Sequence, residues 1–216
     1  MNGSLAITPA ATTVTLISSQ QPAIVGQSVT FTATVSPAAA GTPTGNIAFN
    51  DGSTMIASAA LSSGHAAFTT TSLAVGSHSL TAAYGADLNF SQSTSAALTQ
   101  QVEYNICALY DQTKSVNSGA VVPIKLQLCD IAGKDLSASQ IVLHASGLSS
   151  TSGYSGPAQT VGNANPDSDF RFDSSLGPVG GYVFNLSTKG LSAGTYSLQF
   201  KATGDPVVHS VSFGVR

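Results

Sequence analysis

Apolar and hydroxyl side chains alternate with a period of two along much of this 216-residue chain. Between Gln27 and Ser36, apolar residues take every second position and Ser or Thr takes the positions between them. Successive side chains of a strand point to opposite faces of its sheet, so this pattern predicts antiparallel strands with an apolar inner face and a hydroxyl outer face. The 3.6-residue spacing of an amphipathic helix is not seen in the sequence. We therefore expect an all-β fold.

The composition agrees with strands whose outer faces carry hydroxyl groups instead of charges. Only 8% of the residues are charged, 42% are hydrophobic, and Ser and Thr together number 54. The hydrophobic fraction is sufficient for a core, which excludes the highly charged, disordered class of protein. Seven Lys and Arg residues at a net charge of −3 cannot form a phosphate-binding stripe, so nucleic acid is not an expected partner. No apolar run reaches the roughly 18 residues that a membrane span requires.

Strand-like segments recur at short intervals, and turn residues such as Gly, Asn and Asp separate them. The first half of the chain contains about seven such segments, which is typical of a β-sandwich of the immunoglobulin type. The pattern then starts again at Asn105. We predict two tandem immunoglobulin-like sandwiches, over residues 1–103 and 104–216. The boundary at Gln101–Tyr104 contains no Gly or Pro, which predicts a short, stiff junction.

Several stretches in the first predicted domain resemble the bacterial immunoglobulin-like repeats of large surface and secreted proteins. These stretches are Val25–Phe31, Pro43–Gly52, Ser72–Tyr84 and the loop Gly85–Phe90. The resemblance covers roughly residues 10–103, and it implies an extracellular, non-catalytic role as a spacer or in adhesion. The second predicted domain resembles a more divergent C-terminal β-sandwich of secreted bacterial proteins, through Gly119–Leu126 and Gly194–Leu198.

The two cysteines, Cys107 and Cys129, allow one disulfide and exclude a zinc site built from cysteines. They lie on the first two predicted strands of the second domain, and a simple antiparallel pairing places them opposite each other. We therefore predict a cross-strand disulfide. The alternation places Cys129 on the outer face, together with Lys125 and Gln127. Two free, buried thiols are the alternative.

The most acidic stretch of the chain ends at Asp173 and is a candidate calcium site. Asp167, Asp169 and Asp173, with nearby Asn side chains, supply the oxygen ligands that calcium prefers. The spacing differs from that of a helix-loop-helix calcium loop, and the alternative is a turn in which these side chains cap backbone groups. A weaker candidate is the loop with Asp87 and Asn89, where the alternative is a turn whose Asp accepts backbone hydrogen bonds. No other cofactor is predicted.

We expect no catalytic activity. The four histidines lie in separate strand-like segments and not at the spacing of metal ligands. One Glu and nine Asp residues, nearly all of them in turns, disfavour a pair of catalytic carboxylates. The sequence also contains no Gly-x-Ser-x-Gly elbow and no glycine-rich phosphate loop before a helix.

Two kinds of interaction surface follow from the pattern. The irregular segment 147–159 is a candidate binding loop, with Tyr154 as its exposed aromatic residue, and a mobile loop without a partner is the alternative. The predicted strands Thr12–Ser18 and Val207–Val215 are candidate edge strands for self-assembly.

The function predicted from the sequence is structural. We expect an extracellular structural or adhesion module, acting as a stiff spacer or fibre subunit of a bacterial surface or secreted protein. Its partners would be other domains of a larger protein or further copies of the chain. A polysaccharide- or cell-surface-binding module that uses loops of the second domain is the alternative.

Overall fold

The computed structural model describes residues 8–216, which divide into two compact units. The first unit ends at Val102, and the second comprises Glu103–Arg216 with the short segments Ile24–Gly26 and Ala74–Gly76. Strands dominate both units, and the one helical element among the described residues is a 3-10 turn at Pro166–Ser168. Within residues 8–216, no helix has the length and apolar character of a membrane span. The predicted all-β, immunoglobulin-like fold is confirmed.

Two sheets form the first unit. One has the strand order β1-β3-β6, and the other has the order β2-β9-β7-β4-β5, with β8 also paired to β7. The strands are β1 (Thr12–Ser18), β2 (Ala23–Ile24), β3 (Val29–Pro37), β4 (Asn46–Asp51), β5 (Thr54–Ala60), β6 (His65–Thr70), β7 (Gly76–Tyr84), β8 (Ser93–Thr94) and β9 (Leu98–Glu103).

The alternation of β3 sets its two faces. Val29, Phe31, Ala33 and Val35 are buried, whereas the Thr residues between them are half-buried on the opposite face. These apolar side chains form one core with residues of the other sheet, among them Phe49. Removal of apolar surface from water, at about 25 cal/mol per Å², holds the two sheets together.

The second unit also consists of two sheets. Their strand orders are β10-β12-β16-β15 and β11-β18-β17-β13-β14, and the pairing of β11 with β18 is parallel. The strands are β10 (Asn105–Ala108), β11 (Ser115–Val116), β12 (Val121–Cys129), β13 (Leu143–Ser150), β14 (Ser155–Gly156), β15 (Arg171–Asp173), β16 (Gly181–Ser187), β17 (Gly194–Ala202) and β18 (His209–Val215).

Aromatic side chains from both sheets fill the core of the second unit. The Phe170 ring lies 5.0 Å from the Phe184 ring on β16 and 5.2 Å from the Phe200 ring on β17, measured between ring centroids. Ile124 and Leu126, at alternating positions on β12, are fully buried beside these rings. The second sandwich therefore has its own core.

The prediction that Val207–Val215 is an edge strand is wrong. β18 pairs with β17 on one side and with β11 on the other. Side chains complete the cover, because the Ser212 N–H donates to Gln112 Oε1 at 2.7 Å and the Tyr110 hydroxyl donates to the Ser212 carbonyl at 2.9 Å. A segment distant in sequence therefore satisfies the outward backbone groups of Ser212 and Gly214, which an edge would expose.

Candidate functional site

A disulfide joins β10 to β12, as predicted. The Cα atoms of Cys107 and Cys129 are 6.1 Å apart. The register places Cys107 opposite Gln127 and Asn105 opposite Cys129. The bond therefore runs diagonally between the strands, and the prediction that the two cysteines lie directly opposite each other is wrong.

The expected position of Cys129 on an open outer face is wrong, because this side chain is only 1% exposed. Two loops cover this part of β12. Gln127 Nε2 donates to Asp135 Oδ2 at 2.7 Å. The same nitrogen donates to the carbonyls of Leu176 at 2.8 Å and Gly180 at 3.0 Å. Strand periodicity cannot reveal such cover, because most of these partners are distant in sequence.

The three candidate calcium ligands have separate surroundings. Asp169 Oδ1 lies 2.8 Å from His144 Nδ1. Asp173 Oδ1 accepts hydrogen bonds from the hydroxyl and the N–H of Ser175, and these bonds lower the pKa of Asp173. Asp167 lies in the 3-10 turn with a left-handed φ of 56°. In residues 8–216, no group of three His, Cys, Asp or Glu side chains is arranged to hold a metal ion. Calcium binding by these three residues stays a prediction.

Asp87 organises the loop that follows β7. Its Oδ2 accepts hydrogen bonds from the N–H of Thr44 at 2.9 Å and from the Thr44 hydroxyl at 2.8 Å. Its Oδ1 accepts hydrogen bonds from the N–H groups of Asn89 and Phe90, both at 2.8 Å. These bonds, led by the one from the Thr44 N–H, hold the pKa of Asp87 well below its usual range. The loop is therefore the backbone-capping turn that the sequence offered as the alternative to a calcium ligand.

A buried carboxylate in the second unit was not identified from the sequence. Asp205 is 2% exposed, and its Oδ2 lies 2.8 Å from Nε2 of His209. Its oxygens also accept hydrogen bonds from the N–H groups of Tyr104 at 3.0 Å and Val207 at 2.9 Å. Burial alone raises the pKa of Asp205, but the hydrogen bonds from His209 and the two backbone groups outweigh it and lower the pKa. The four-residue spacing of Asp205 and His209 was the one local signal.

Tyr154 is not the exposed aromatic residue that the sequence suggested. Its ring is half-buried, packs against the second core, and meets the Tyr196 ring edge-to-face at 5.8 Å. The chain turns back here, because β13 continues to Ser150 and pairs with β14. The Tyr154 N–H donates to the Ser150 hydroxyl at 3.1 Å. A tight hairpin therefore replaces the first part of the expected irregular loop.

An open groove of about 550 Å³ lies on the outer face of the first unit's larger sheet. Ala48 on β4 and Ala83 on β7 are directly paired and form its floor. Amide and hydroxyl side chains surround them: Asn46, Ser58, Gln92, Ser93 and Thr94. These groups donate and accept hydrogen bonds without charge, which suits a neutral ligand rich in hydroxyl groups. The sequence did not show this groove, because its lining comes from separate strands that only the sheet register brings together.

A comparison with protein families characterises the first unit. Residues 14–103 match the model of the bacterial Ig-like domain (group 3). The resemblance predicted over roughly residues 10–103 is therefore confirmed. The Asp87 loop and the open groove both lie within the matched residues. A comparison with curated proteins finds no match.

Solved structures that are similar to this chain have low sequence identity to it. The fibronectin(III)-like modules of Clostridium thermocellum CbhA are 18% identical, with 94% of each chain covered and a TM-score of 0.33. The Escherichia coli adhesin FdeC is 14% identical over 94% of this chain and 64% of that chain, with a TM-score of 0.31. Domains 5–6 of the S-layer protein SbsC are 14% identical over 93% and 96% of the two chains, with a TM-score of 0.26.

Proposed function

We propose that this chain is a non-catalytic, extracellular structural or adhesion module that acts as a stiff spacer or fibre subunit of a bacterial surface or secreted protein. The observation that carries the proposal is the match of residues 14–103 to the bacterial Ig-like family, followed by a second sandwich with its own core. Antiparallel sheets resist extension because many interstrand hydrogen bonds share the load.

The disulfide supports an extracellular location. Structural disulfides persist in oxidising compartments and are rare in the reducing cytosol. The bond between Cys107 and Cys129 ties two strands that are already paired, and Cys129 is buried. This arrangement is that of a structural bond and not of an exposed, reactive thiol pair.

The distribution of basic residues also suits a protein exposed to proteases. All seven Lys and Arg residues lie after residue 103, so the first unit offers no cleavage site to trypsin-like enzymes. The hydroxyl groups on the outer faces keep this surface polar without charge.

Surface exposure of the native protein tests the proposed role. We expect an antibody against the chain to label intact cells of the source organism, and a broad-specificity protease added to intact cells to remove the label. A cytosolic protein that serves as the lysis control must remain uncut. Recovery of the chain solely in the protected cytosolic fraction would contradict the proposal.

Polysaccharide binding is a second candidate function, favoured by the groove that lies on the outer face of β4 and β7. Its floor of Ala48 and Ala83 gives a direct test, because Ala83→Trp fills the groove with a large side chain. We expect this variant to lose retention on the polysaccharides that retain the native chain. Thr15→Trp, on the exposed face of β1 in the other sheet, is the matched control and keeps retention. Equal retention of all three proteins would remove the groove from consideration.

A further inference from the structure

The two edges of sheet β1-β3-β6 differ from the other long edges of the molecule. β5, at the edge of the neighbouring sheet, carries a β-bulge at Ile56 that interrupts its register. Bulges of this kind hinder the addition of a further strand. The outer side of β18 is covered, as described above. β6 has an unbroken register with β3 and contains no Lys, Pro or acidic residue.

Alternate residues of β6 bond to β3, and this alternation shows which backbone groups β6 presents to solvent. The Val35 N–H donates to the Gly64 carbonyl, so the even-numbered residues of β6 bond to β3. In antiparallel pairs the backbone groups of successive residues point to opposite sides of the strand. Ala67 and Thr69 therefore direct their N–H and C=O groups away from β3, and among residues 8–216 no backbone group pairs with them there.

β1, the opposite edge of this sheet, is tied at both ends. The Thr12 hydroxyl donates to the Ser91 carbonyl at 2.8 Å, and the Ser18 hydroxyl donates to Gln100 Oε1 at 2.6 Å. These bonds hold the ends of β1 against segments of the other sheet. Of the two edges, β6 is therefore the one more open to a partner strand.

An apolar groove of about 340 Å³ lies between β6 and β5, which is the edge strand of the other sheet. Ile56, Phe68, Thr70 and Leu73 are half-buried along it, and the exposed Ser72 completes its lining. An added strand would direct alternate side chains into such a groove while its backbone completes the sheet. The edge and the groove together form a site for a β-strand.

We propose that two copies of this chain associate through their β6 strands, antiparallel and related by a two-fold axis. The bonded pairs in this register are Ala67 with Thr69 of the second copy and Thr69 with Ala67 of the second copy. The two Phe68 side chains then face each other across the axis and cover the apolar grooves. This arrangement joins the sheets into one six-stranded sheet, and a two-fold interface closes at the dimer.

Charge favours a second copy as the occupant. Residues 1–103 contain no Lys or Arg, and their acidic residues are Asp51, Asp87 and Glu103, none of which lies on β6. Two identical β6 edges therefore approach without the repulsion that charged edges impose on self-pairing. The inference goes beyond the proposed function, because a monomeric spacer would also satisfy that role.

Sedimentation equilibrium of the full chain tests the dimer. We expect a concentration-dependent change from monomer to dimer, without larger species. Ala67→Lys/Thr69→Lys places Lys opposite Lys in both bonded pairs, and it should raise the dissociation constant at least about tenfold. Both side chains are exposed, so circular dichroism should show an unchanged fold.

A charge-swapped variant tests the register. Ala67→Lys/Thr69→Glu places Lys opposite Glu of the second copy, so we expect it to dimerise at least as well as the native chain. In a register that pairs Ala67 with Ala67 of the second copy, Lys would face Lys and this variant would not dimerise. Loss of dimerisation would therefore overturn the proposed register. Thr15→Lys on exposed β1 is the control for the other edge and should leave the dimer intact.

Amide hydrogen exchange provides evidence without substitutions. The amides of Ala67 and Thr69 should gain protection as the protein concentration rises, while those of Val14 and Leu16, which point to the free side of β1, should not. A native chain that remains monomeric, or that loses association in Thr15→Lys instead of in the double-Lys variant, would overturn the proposal. Either result would leave the proposed surface location untouched, because that is tested on intact cells.

Discussion

Single short polar side chains hold several loops of this molecule in place. Asp87 bonds to Thr44 across the two loops at one end of the first unit. Asp205 has a similar role in the second unit, where its carboxylate accepts a hydrogen bond from the Tyr104 N–H and also bonds to His209. In both cases a carboxylate satisfies N–H groups that strands leave unpaired at their ends. Some of the few charged side chains of this chain therefore stabilise its loops.

Replacing Asp87 should loosen its loop. Asp87→Asn keeps the size of the side chain but removes the charge and turns one acceptor oxygen into a donor, so the bonds to Thr44 or to Asn89 and Phe90 are lost. We expect a lower melting temperature and faster amide exchange at Asn89 and Phe90. Asp111→Asn is the matched control, because the Asp111 carboxylate accepts hydrogen bonds from Thr113 alone, in an exposed turn. Equal effects of the two substitutions would contradict this role.

Asp205 should make the second unit sensitive to acid. Its pKa in the folded state lies below that in the unfolded chain, which is about 3.9 for Asp. Its contribution to stability is therefore fully present above that unfolded pKa and is lost as the pH falls through the folded pKa. Asp205→Asn should reduce stability at neutral pH by about 1–3 kcal/mol and weaken the pH dependence between roughly pH 5 and 2.

Urea denaturation followed by tyrosine fluorescence measures this effect, because five of the six tyrosines lie in residues 104–216. The native chain and Asp205→Asn are compared across the acidic range. Parallel stability curves for the two proteins would show that another group is responsible for the acid sensitivity.

At the level of elements, the two units protect their strand edges in different ways. Side chains and the short strand β11 cover β18, and a disulfide fixes β10 to β12. Within the described part of the chain, residues 8–216, β6 in the first unit has no such cover. Edge strands offer unpaired backbone groups to any other strand, so an uncovered edge is the place at which sandwiches associate.

Removing the disulfide should destabilise the second unit without unfolding it. Cys107→Ala/Cys129→Ala opens a loop of 22 residues, which corresponds to about 3 kcal/mol in the chain-entropy account. The fold should survive because β10 still pairs with β12 and the core is unchanged. Chemical denaturation of the variant and of the native chain with and without reductant measures the difference. Two reactive thiols in the unsubstituted chain, unfolded without reductant, would contradict the bond itself.

At the level of the whole molecule, charge is distributed unevenly along the chain. Residues 104–216 contain all seven basic residues and seven of the ten acidic ones, so residues 1–103 carry only three acids and no basic residue. Each unit nevertheless has its own hydrophobic core, and each consists of two sheets. Separate cores are the physical requirement for separate folding.

Each predicted domain should therefore fold by itself. Residues 1–103 and residues 104–216, expressed separately, should each show a β-sheet circular dichroism spectrum and a cooperative thermal transition. The second fragment should also lose stability on reduction, whereas the first, without cysteine, should not respond. If either fragment shows no cooperative transition, its core depends on residues from the other half of the chain.

Local patterns in the sequence determined the strands, the two sandwiches and the family resemblance. The period of two assigns Val29 and Phe31 to the core with no knowledge of the partner strand, because pleat geometry acts on each strand by itself. The existence of the disulfide could also be predicted, since the two cysteines lie on the first two strands predicted for the second domain.

Features that depend on distant segments were decided by the tertiary structure alone. The burial of Cys129, the packing of Tyr154, the cover on β18 and the alanine floor of the groove all require partners from elsewhere in the chain. A strand pattern tells which side chains share a face, but not what lies over that face or beside that edge. Sheet register and loop packing supply this information, and they arise only when the sheets come together.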